Sequence, residues 1–369
     1  MSKKNIRVLH IDSEFGWRGG QQQVAYLIEE MQKQGYITAL ISQPKSEIDA
    51  YCREKDINCF SLPMKGELDI FAGFRIARLV KRNQFNILHL HSAHALATGL
   101  WAKLFYKKVK LIGTRRVDFH IRNNPLSRIK YSNPLLDKIV CISGQVENVL
   151  RMDGVPARLL KTIHSGVDIH KYDNIVPPKN FKSKLGIPEH HLFIGTVAAM
   201  ADHKDYPNLL KAARIVLNNN DNITFCAVGS GPEENRVLAL AKKLQLEDRF
   251  IFAGFRKDVG NFLKSFDIFV LSSHLEGLGT SILDAQGVGL PIVACKTGGI
   301  PEIIDNDING LLVPPKNPEA LAKAILYLVQ NDSRRKKLGE NSKQTVQQFS
   351  IEKTVQRYLE LYDELLASS

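Results

Sequence analysis

The sequence contains few cysteines, and their arrangement excludes two classes of protein. The five are odd in number, form no Cys-x-x-Cys pair, and stand at Cys52, Cys59, Cys141, Cys226 and Cys295. A disulfide framework and a structural zinc site both require paired or clustered thiols. We therefore expect these residues to be reduced and mostly buried, where they act as small hydrophobic side chains.

Long apolar runs are also absent from the 369 residues. No stretch approaches the ~18–20 apolar residues that a membrane-spanning helix needs. The first apolar run, Ile6–Ile11, is interrupted by Arg7 and His10 and does not end in small residues, unlike a secretory leader. We expect a soluble cytoplasmic protein, and the length favours two domains over one.

Acidic residues are outnumbered, because 38 Asp and Glu face 50 Lys and Arg and leave a formal charge of +12. The excess is concentrated in residues 101–138, where Asp118 and Asp137 are the only acids among ten basic residues. Trp101 and Phe105 lie in the same segment, and basic residues combined with aromatic ones suit an anionic membrane surface. The segment is therefore either a docking site at the inner face of the cytoplasmic membrane or an ordinary solvated face. No nucleic-acid-binding motif accompanies the charge, so we expect no nucleic-acid partner.

Short β-branched runs alternate with helical periodicity along the chain, and this pattern predicts parallel sheets with right-handed crossovers. The predicted strands are Ile6–Ile11, Ile37–Ser42, Asn86–His91, Lys110–Thr114, Lys138–Ser143, Leu192–Ala198, Ile223–Gly229, Phe250–Ala253, Ile268–Ser272 and Pro291–Ala294. A proline-containing loop at Val176–Asn180 interrupts the alternation. We expect two doubly wound α/β domains joined near residues 165–180, and a final amphipathic helix over Ser350–Leu366.

The most informative segment is a glycine-rich turn with an acid on each side. Glu276 ends a loop, and Asp284 follows roughly two turns into the next predicted helix. Between them, the backbone N–H groups of a helix start can face a phosphate. The residues of this turn are Gly277, Leu278, Gly279, Thr280 and Ser281. Two carboxylates that accept hydrogen bonds from hydroxyls, flanking an anion site, suit a sugar nucleotide.

Two loops in the first half carry further polar candidates. Gly19 and Gly20 follow the first predicted strand, where paired glycines let a phosphate or a sugar approach the backbone closely. His89, His91 and His94 lie at the end of the third strand and the start of the next helix. For these histidines, hydrogen bonding to sugar or acceptor hydroxyls competes with a purely structural role.

The loop after the Lys110 strand is the third candidate in this half. It contains Arg115, Arg116, Asp118 and His120. Guanidinium groups suit phosphate or carboxylate, and Asp118 could orient an acceptor hydroxyl. An Arg116–Asp118 pair of structural use is the alternative.

Three motifs in the second half narrow the chemistry. Lys204 follows a predicted strand and could place its charge on a leaving diphosphate, although a lone loop lysine is usually just solvated. The run Val228–Glu233 resembles the start of a dinucleotide fingerprint, but Glu234 occupies the third glycine position, which disfavours a nicotinamide dehydrogenase. Asp305–Asp307 has the Asp-x-Asp form of some metal sites, but the turn residues that follow it lead us to expect no metal.

Taken in order, these segments resemble one family: the retaining glycosyltransferases of the GT-B fold, family 4, also termed glycosyltransferase group 1. The matching pieces are Gly19–Gly20, His89–His94, Ile163–Asp168, the Lys204 loop, Val228–Glu233, Phe252–Phe255, Glu276–Ala285, Gly289–Ala294 and Gly298–Glu302. They run along nearly the whole chain, and the Glu276–Ala285 segment is the most specific.

The resemblance implies an architecture and an activity. The expected fold is two Rossmann-like, doubly wound domains facing a cleft: an acceptor-side domain at 1–170 and a nucleotide-sugar domain at 171–349. The helix at 350–369 would cross back to pack on the first domain. The implied reaction moves a sugar from a UDP- or GDP-sugar to a hydroxyl of a glycan or lipid-linked acceptor, in lipopolysaccharide, capsule or related envelope synthesis. Neither a bound cofactor nor a metal is required.

Site roles also follow from the resemblance, residue by residue. Glu276 matches the acid that contacts donor-sugar hydroxyls, and Lys204 matches the lysine of an Arg-x4-Lys pair on the diphosphate. Asp284 stands where an acid, usually Glu, holds the ribose, and Gly229 and the glycine turn complete the donor contacts. Gly19 and Gly20 match the loop beside the phosphates.

The sequence departs from the family pattern at two places. Ala199 occupies the arginine position of the pair, so Arg115, Arg116 or Arg256 would have to substitute. Asp284 is one methylene shorter than Glu, which shortens its reach to a ribose. The catalytic candidates are therefore Glu276, Lys204 and Asp118, and the acceptor-side candidates are His91, His94, Arg115, Arg116 and His120.

Two other functions remain open, because a fold does not fix a function. A sugar-nucleotide epimerase uses the same scaffold and would convert its substrate without transferring a sugar. A non-catalytic basic surface protein would explain the charge but would have no need of Glu276 and Lys204.

Overall fold

The computed structural model describes residues 5–122 and 124–368. They form two compact units, each built on its own parallel sheet. The first unit runs to Val167 and includes the C-terminal segment from Ser350, whereas the second is the continuous segment Asp168–Phe349.

The first unit is built on a seven-stranded sheet in the order β3-β2-β1-β4-β5-β6-β7. Its strands are β1 (Arg7–Ile11), β2 (Ile37–Ser42), β3 (Cys59–Ser61), β4 (Ile87–Leu90), β5 (Lys110–Arg115), β6 (Lys138–Cys141) and β7 (Leu160–Thr162). Every pair is parallel, with Val8 beside both Thr38 and Ile87. The central strands β1 and β4 are almost wholly buried and mostly apolar, with His10 and His89 as the polar exceptions, because helices cover both faces of a parallel sheet.

Helices connect these strands. They are α1 (Gly19–Lys33), α2 (Glu47–Glu54), α3 (Ile70–Arg82), α4 (Ala93–Phe105), α5 (Pro125–Tyr131) and α6 (Gly144–Met152). Serine is the N-cap residue of three of them. The hydroxyls of Ser46, Ser92 and Ser143 accept hydrogen bonds from backbone N–H groups in the first turns of α2, α4 and α6. Such caps stabilise a helix by about 1 kcal/mol each.

The second unit repeats the plan with six parallel strands in the order β10-β9-β8-β11-β12-β13. The strands are β8 (Leu192–Val197), β9 (Ile223–Val228), β10 (Phe250–Gly254), β11 (Ile268–Leu271), β12 (Ile292–Cys295) and β13 (Leu311–Val313). The helices are α7 (Phe181–Lys184), α8 (Tyr206–Leu217), α9 (Glu234–Lys243), α10 (Val259–Ser265), α11 (Thr280–Gly287), α12 (Pro318–Gln330) and α13 (Asp332–Thr345).

The last helix, α14 (Ile351–Ala367), belongs to the core of the first unit. Val355, Tyr358 and Tyr362 are buried in one cluster with Val8 and Ile87 of the sheet. Burying an apolar side chain of this size stabilises the fold by roughly 1.5–3 kcal/mol. The chain ends of the first unit are therefore packed together.

All ten predicted strands are present, with ends that differ by at most two residues. The sequence patterns missed β3, β7 and β13, each of three residues at the edge of its sheet. In the described part of the chain, no helix combines the length and apolarity that a bilayer crossing would require.

Candidate active site

Most of the predicted donor residues lie on loops at the carboxyl ends of β8, β9 and β11. These three strands are neighbours in the sheet of the second unit. Because parallel strands end at the same edge, residues far apart in sequence meet there. Ligands of open α/β sheets bind at this edge, so the second unit brings most of the candidate donor groups together, whereas Gly19 and Gly20 belong to the first unit.

Lys204 and Glu276 form an ion pair at this edge. Lys204 Nζ lies 2.5 Å from Glu276 Oε2, and Ser273 Oγ donates to the same carboxylate oxygen at 3.1 Å. The two charged side chains are only 15% and 12% exposed. A lysine held in this way is more than a solvated loop residue, and the pair places one cation and one carboxylate at the same point.

The backbone around Glu276 is fixed by the loop after β12. Gly299 N–H donates to the Glu276 carbonyl at 3.1 Å, and Thr297 Oγ1 donates to the His274 carbonyl at 2.8 Å. Gly298 has a φ of +53°, and a Cβ there would lie 1.6 Å from the Glu276 carbonyl oxygen. Only glycine fits this close approach, so the carboxylate is carried on a braced loop.

The glycine turn leads into α11 as the sequence predicts. Gly279 adopts a left-handed φ of +92° and precedes the helix without a side-chain cap. The first turn at Thr280 and Ser281 therefore begins without the usual oxygen of a capping residue, and its dipole favours an anion. Leu278 is 1% exposed and packs as a core side chain, so its backbone alone is available to a ligand.

Asp284 lies on α11 with an unsatisfied oxygen. Its Oδ1 is enclosed and has no hydrogen-bond partner, while Tyr172 bonds to the carboxyl group. Burial raises the pKa of Asp284 to about 6, and the neighbouring Lys171 opposes this shift. A buried acceptor without a partner costs stability, and a hydroxyl donor would satisfy it.

Gly229 holds two of the strand-end loops together. Its φ is +140°, and an added Cβ would lie 2.1 Å from the Ala198 carbonyl oxygen. This contact brings the loop after β9 against the loop that contains the exposed Ala199. Ala199, the position of the family arginine, supplies no charge, so any second cation must come from elsewhere.

Of the three arginines considered as substitutes, two are held by partners in their own loops. Arg256 holds Asp258 through two bonds of 2.8 and 2.9 Å. Arg115 donates to the carbonyls of Val117 and Phe119 and to the Tyr131 hydroxyl, so it shapes its own loop.

Arg116 is different, because its guanidinium makes no direct ion pair, although the Asp12 carboxylate acts on it through space. It contacts His91 Nδ1 at 3.3 Å and Ser165 Oγ at 3.5 Å, and its enclosed Nε has no partner. Among the described residues no ion pair joins it to a carboxylate, and Asp12 acts on it only through space. Gly20, at the start of α1, leaves room for it, since a Cβ there would lie 3.6 Å from Arg116 Cδ. Burial lowers the pKa of Arg116, and an anion beside it would relieve that cost.

Three histidines converge next to Arg116 in the first unit. His10, His89 and His91 are buried, and their ligand atoms lie within 4.8 Å of one another. His10 and His91 share a hydrogen bond of 2.9 Å, and His89 bonds to Thr114 and, through Nδ1, to Tyr362. Burial lowers the pKa of His10 to about 3 and lowers those of the other two, so all three are neutral at pH 7. Most of their nitrogens are committed to this network.

The remaining acceptor-side candidates do not form one cluster. His94 is exposed on α4, and His120 bonds to Asp153 at 2.8 Å, which ties its loop to the end of α6. Asp118 is buried. The Asp-x-Asp motif serves the turn: Asn306 accepts from Leu312 N–H, and Asp307 pairs with Arg334.

Sequence reasoning missed three residues of these sites. Ser273 supports Glu276, Tyr172 supports Asp284, and His10 completes the histidine cluster. His10 gives one readable signal, since it is a polar residue inside an apolar strand. Tyr172 is distant from Asp284 in sequence, and Ser273 is an ordinary loop serine, so only the fold reveals their contacts.

Two Rossmann-like units with parallel sheets are the architecture of GT-B glycosyltransferases, and solved structures match it over the whole chain. A glycosyltransferase from Rickettsia africae superposes with a TM-score of 0.86 at 24% identity, covering 99% of this chain and all of that one. The Anabaena protein Alr3699/HepE in complex with UDP-glucose gives a TM-score of 0.84 at 19% identity, with 99% and 100% coverage. The predicted fold class is confirmed.

The chain belongs to glycosyltransferase family 4, group 1. The family model described as Glycosyltransferase Family 4 matches residues 17–171, and the model described as Glycosyl transferases group 1 matches residues 178–345. N-acetyl-alpha-D-glucosaminyl L-malate synthase of Bacillus anthracis is 25% identical over 86% of this chain and 84% of that protein. UDP-Gal:alpha-D-GlcNAc-diphosphoundecaprenol alpha-1,3-galactosyltransferase of Escherichia coli is 24% identical over 79% and 78%. The protein is a glycosyltransferase.

Proposed function

We propose that this glycosyltransferase is a retaining enzyme that moves a sugar from a nucleoside-diphosphate sugar to a hydroxyl acceptor. The observation that carries the proposal is the Lys204–Glu276 pair at the strand edge beside the start of α11. It combines a cation for a diphosphate, a carboxylate for sugar hydroxyls and a helix start for phosphate within one unit.

Each donor group has a role that its chemistry suits. Glu276 accepts bonds from sugar hydroxyls, Lys204 and the first N–H groups of α11 hold the diphosphate, and Asp284 accepts from the ribose. The donor is a UDP- or GDP-sugar. Support for UDP comes from Anabaena Alr3699/HepE, whose structures contain UDP or UDP-glucose, and from the Escherichia coli relative named for UDP-Gal.

The bond changes require no protein nucleophile. The bond between the anomeric carbon and the donor phosphate oxygen breaks as the acceptor oxygen attacks from the same face. The acceptor proton passes to the departing phosphate oxygen, so atoms and charge balance without an intermediate on the protein. Lys204 stabilises the departing diphosphate, and Glu276 fixes the sugar in the attacking geometry. Asp118, His91, His94 and His120 remain candidates for positioning the acceptor.

Arg116 binds an anionic group of a substrate in this proposal. Its Nε has no hydrogen-bond partner and no carboxylate pairs with it directly, Asp12 acting only through space, whereas Arg115 and Arg256 are held by protein partners. Arg116→Gln should raise the KM of one substrate roughly 10- to 100-fold, the effect of losing a charged hydrogen bond. Steady-state kinetics with each substrate varied in turn checks this, with Arg151→Gln as the exposed control. Unchanged KM values for both substrates would contradict the role.

The acceptor is a glycan or lipid-linked molecule of the cell envelope. Support comes from relatives whose names specify diphosphoundecaprenol-linked acceptors in Escherichia coli and Campylobacter jejuni. We place the enzyme in the cytoplasm, at the inner face of the membrane, with residues 101–138 as the first candidate for the contact.

A thermal-shift panel with UDP, GDP, ADP and CMP tests the donor assignment. A nucleotide at about 100 times its Kd stabilises the folded state by about 2.7 kcal/mol, which raises the melting temperature of a unit of this size by several degrees. We expect UDP or GDP to do so and CMP to have no effect. Incubation with the matching sugar nucleotide should then release nucleoside diphosphate. Conversion of the donor to an isomer without release would establish an epimerase instead, and an inverted anomer in the product would refute the retaining mechanism.

A further inference from the structure

Apolar side chains are exposed where the start of α3 meets the end of α4. Their exposed fractions are 84% for Leu68, 79% for Phe71, 47% for Phe74, 48% for Leu104 and 50% for Phe105. The rings of Phe74 and Phe105 meet edge to face at 5.5 Å, so the two helices share one patch. Apolar groups exposed together on this scale mark an interaction surface.

The two helices are locked together beneath this patch. A Cβ on Gly73 would lie 2.4 Å from Trp101 Cβ, which shows how closely α3 and α4 approach. Trp101 Nε1 donates to the Glu67 carbonyl at 3.0 Å and anchors the loop that presents Leu68. The exposed side chains therefore stand on a rigid base.

A basic rim borders the apolar patch. Four exposed residues of α3 line a shallow depression, together with Leu79, and two exposed lysines follow α4. The basic residues are Arg75, Arg78, Lys81, Arg82, Lys107 and Lys108. Helix α3 has no Asp or Glu between Ile70 and Arg82.

Ion pairs with acids determine which basic residues of segment 101–138 carry uncompensated charge. Lys103 and Lys110 both pair with Asp137, and Lys130 is buried against Glu67. Three of the ten basic residues in segment 101–138 thus pair with two acids, which cancels two of the ten positive charges. The uncompensated charge continues instead onto α3, outside that segment.

We propose that this docking surface, formed by the apolar patch and its basic rim, seats the first unit on an anionic lipid bilayer. The inference rests on the proposed lipid-linked acceptor and names the face that meets the lipid. Phenylalanine and leucine enter the boundary between headgroups and acyl chains, while the arginines and lysines stay at the level of the headgroup phosphates. Each basic residue near such a surface contributes favourably, and the contribution falls as salt rises.

Charge favours a bilayer over a second copy of the chain. In a two-fold dimer a surface meets itself, so the basic rim would approach an identical rim. Six positive groups would then face six others, and like charges at an interface are unfavourable. A bilayer with anionic headgroups satisfies the apolar patch and the rim at once.

Co-sedimentation with vesicles tests the surface without donor or acceptor. The full-length protein should bind vesicles of phosphatidylcholine mixed with phosphatidylglycerol and should not bind phosphatidylcholine alone. Arg75→Gln with Arg78→Gln should weaken the partition coefficient by about tenfold or more. The matched control, Lys242→Gln with Lys243→Gln, removes two exposed charges from α9 in the second unit and should leave binding unchanged.

A second pair of variants tests the apolar part. Leu68→Ser with Phe71→Ser should weaken binding at least about tenfold, because two insertable side chains are lost. The control, Met152→Ser with Val176→Ser, removes side chains that are 66% and 85% exposed elsewhere. Binding at the wild-type level by all four double variants would overturn the proposal. So would a dimer of the wild-type protein, detected by light scattering, that Leu68→Ser with Phe71→Ser converts to a monomer.

The vesicle experiment and the test of the proposed transferase function can fail independently of each other. Nucleoside-diphosphate release with a soluble acceptor should be unaffected by the Arg75/Arg78 and Leu68/Phe71 double variants. Vesicle binding without release would refute the transferase site and keep the docking surface. Release without vesicle binding would refute the docking surface alone.

Discussion

Lys204→Ala is expected to lower kcat/KM by at least about 100-fold in a protein that still folds. The expectation follows from the charge that develops on the departing diphosphate, since removing one preorganised donor of this kind costs roughly 10²–10³ in rate. Ala199 leaves no neighbouring arginine in the same loop to take over. Initial rates of nucleoside-diphosphate release, with circular dichroism to check folding, measure the effect.

Glu276→Gln should cause a comparable loss for a different reason. The amide keeps the shape of the side chain but weakens its bonds to sugar hydroxyls and breaks the ion pair with Lys204. Because both residues serve one site, the double variant should lose much less than the product of the two single losses. Lys211→Ala, on an exposed position of α8, is the matched control and should retain full activity. Wild-type rates in either Lys204→Ala or Glu276→Gln would refute the site.

Asp284→Asn should raise the melting temperature near pH 8 and weaken nucleotide binding. The folded-state pKa of about 6 lies above the ordinary value of 3.8, so the buried carboxylate is harder to ionise than in the unfolded chain. The native state therefore binds the proton more tightly, and stability falls as pH rises from about 4 to 6. Above pH 6 the cost reaches up to about 3 kcal/mol, and the amide removes it.

The pH dependence provides the control for Asp284. Wild type and Asp284→Asn should melt at similar temperatures near pH 3, below the ordinary pKa of 3.8, where the carboxyl is mostly protonated in both states, and should diverge as pH rises. Nucleotide affinity, measured by calorimetry at pH 8, should fall because an amide is a weaker acceptor for ribose hydroxyls. A variant that is no more stable at pH 8 and binds as tightly as wild type would contradict the assignment.

The long central strands could be predicted because burial on both faces selects continuous apolar, β-branched runs. Strands β3, β7 and β13 could not, since three residues at a sheet edge need little apolar surface and leave little pattern. The glycine turn was predictable for a related reason: Gly279 requires a left-handed backbone, and such positions restrict the sequence. Fold class and family are both confirmed.

The pairings within the site were beyond the sequence. Lys204 and Glu276 are 72 positions apart, and only the parallel order of β8 and β11 brings them together. Arg115 and Arg116 are adjacent in sequence. Arg115 donates to the carbonyls of its own loop, whereas Arg116 keeps an Nε donor without a hydrogen-bond partner. Ion pairs likewise determine which lysines of segment 101–138 carry uncompensated charge. Spacing along the chain does not predict those pairs.

The place of α14 makes the first unit discontinuous in sequence. The second unit is one continuous segment with its own sheet. The first unit needs residues from both sides of that segment, because Val355 and Tyr362 fill its core beside Val8 and Ile87. Without those side chains this sheet face stays uncovered, and exposed apolar surface is what chaperones and proteases recognise. A truncation before residue 350 would therefore remove far more than one helix: it would leave the first unit without the side chains that close its core.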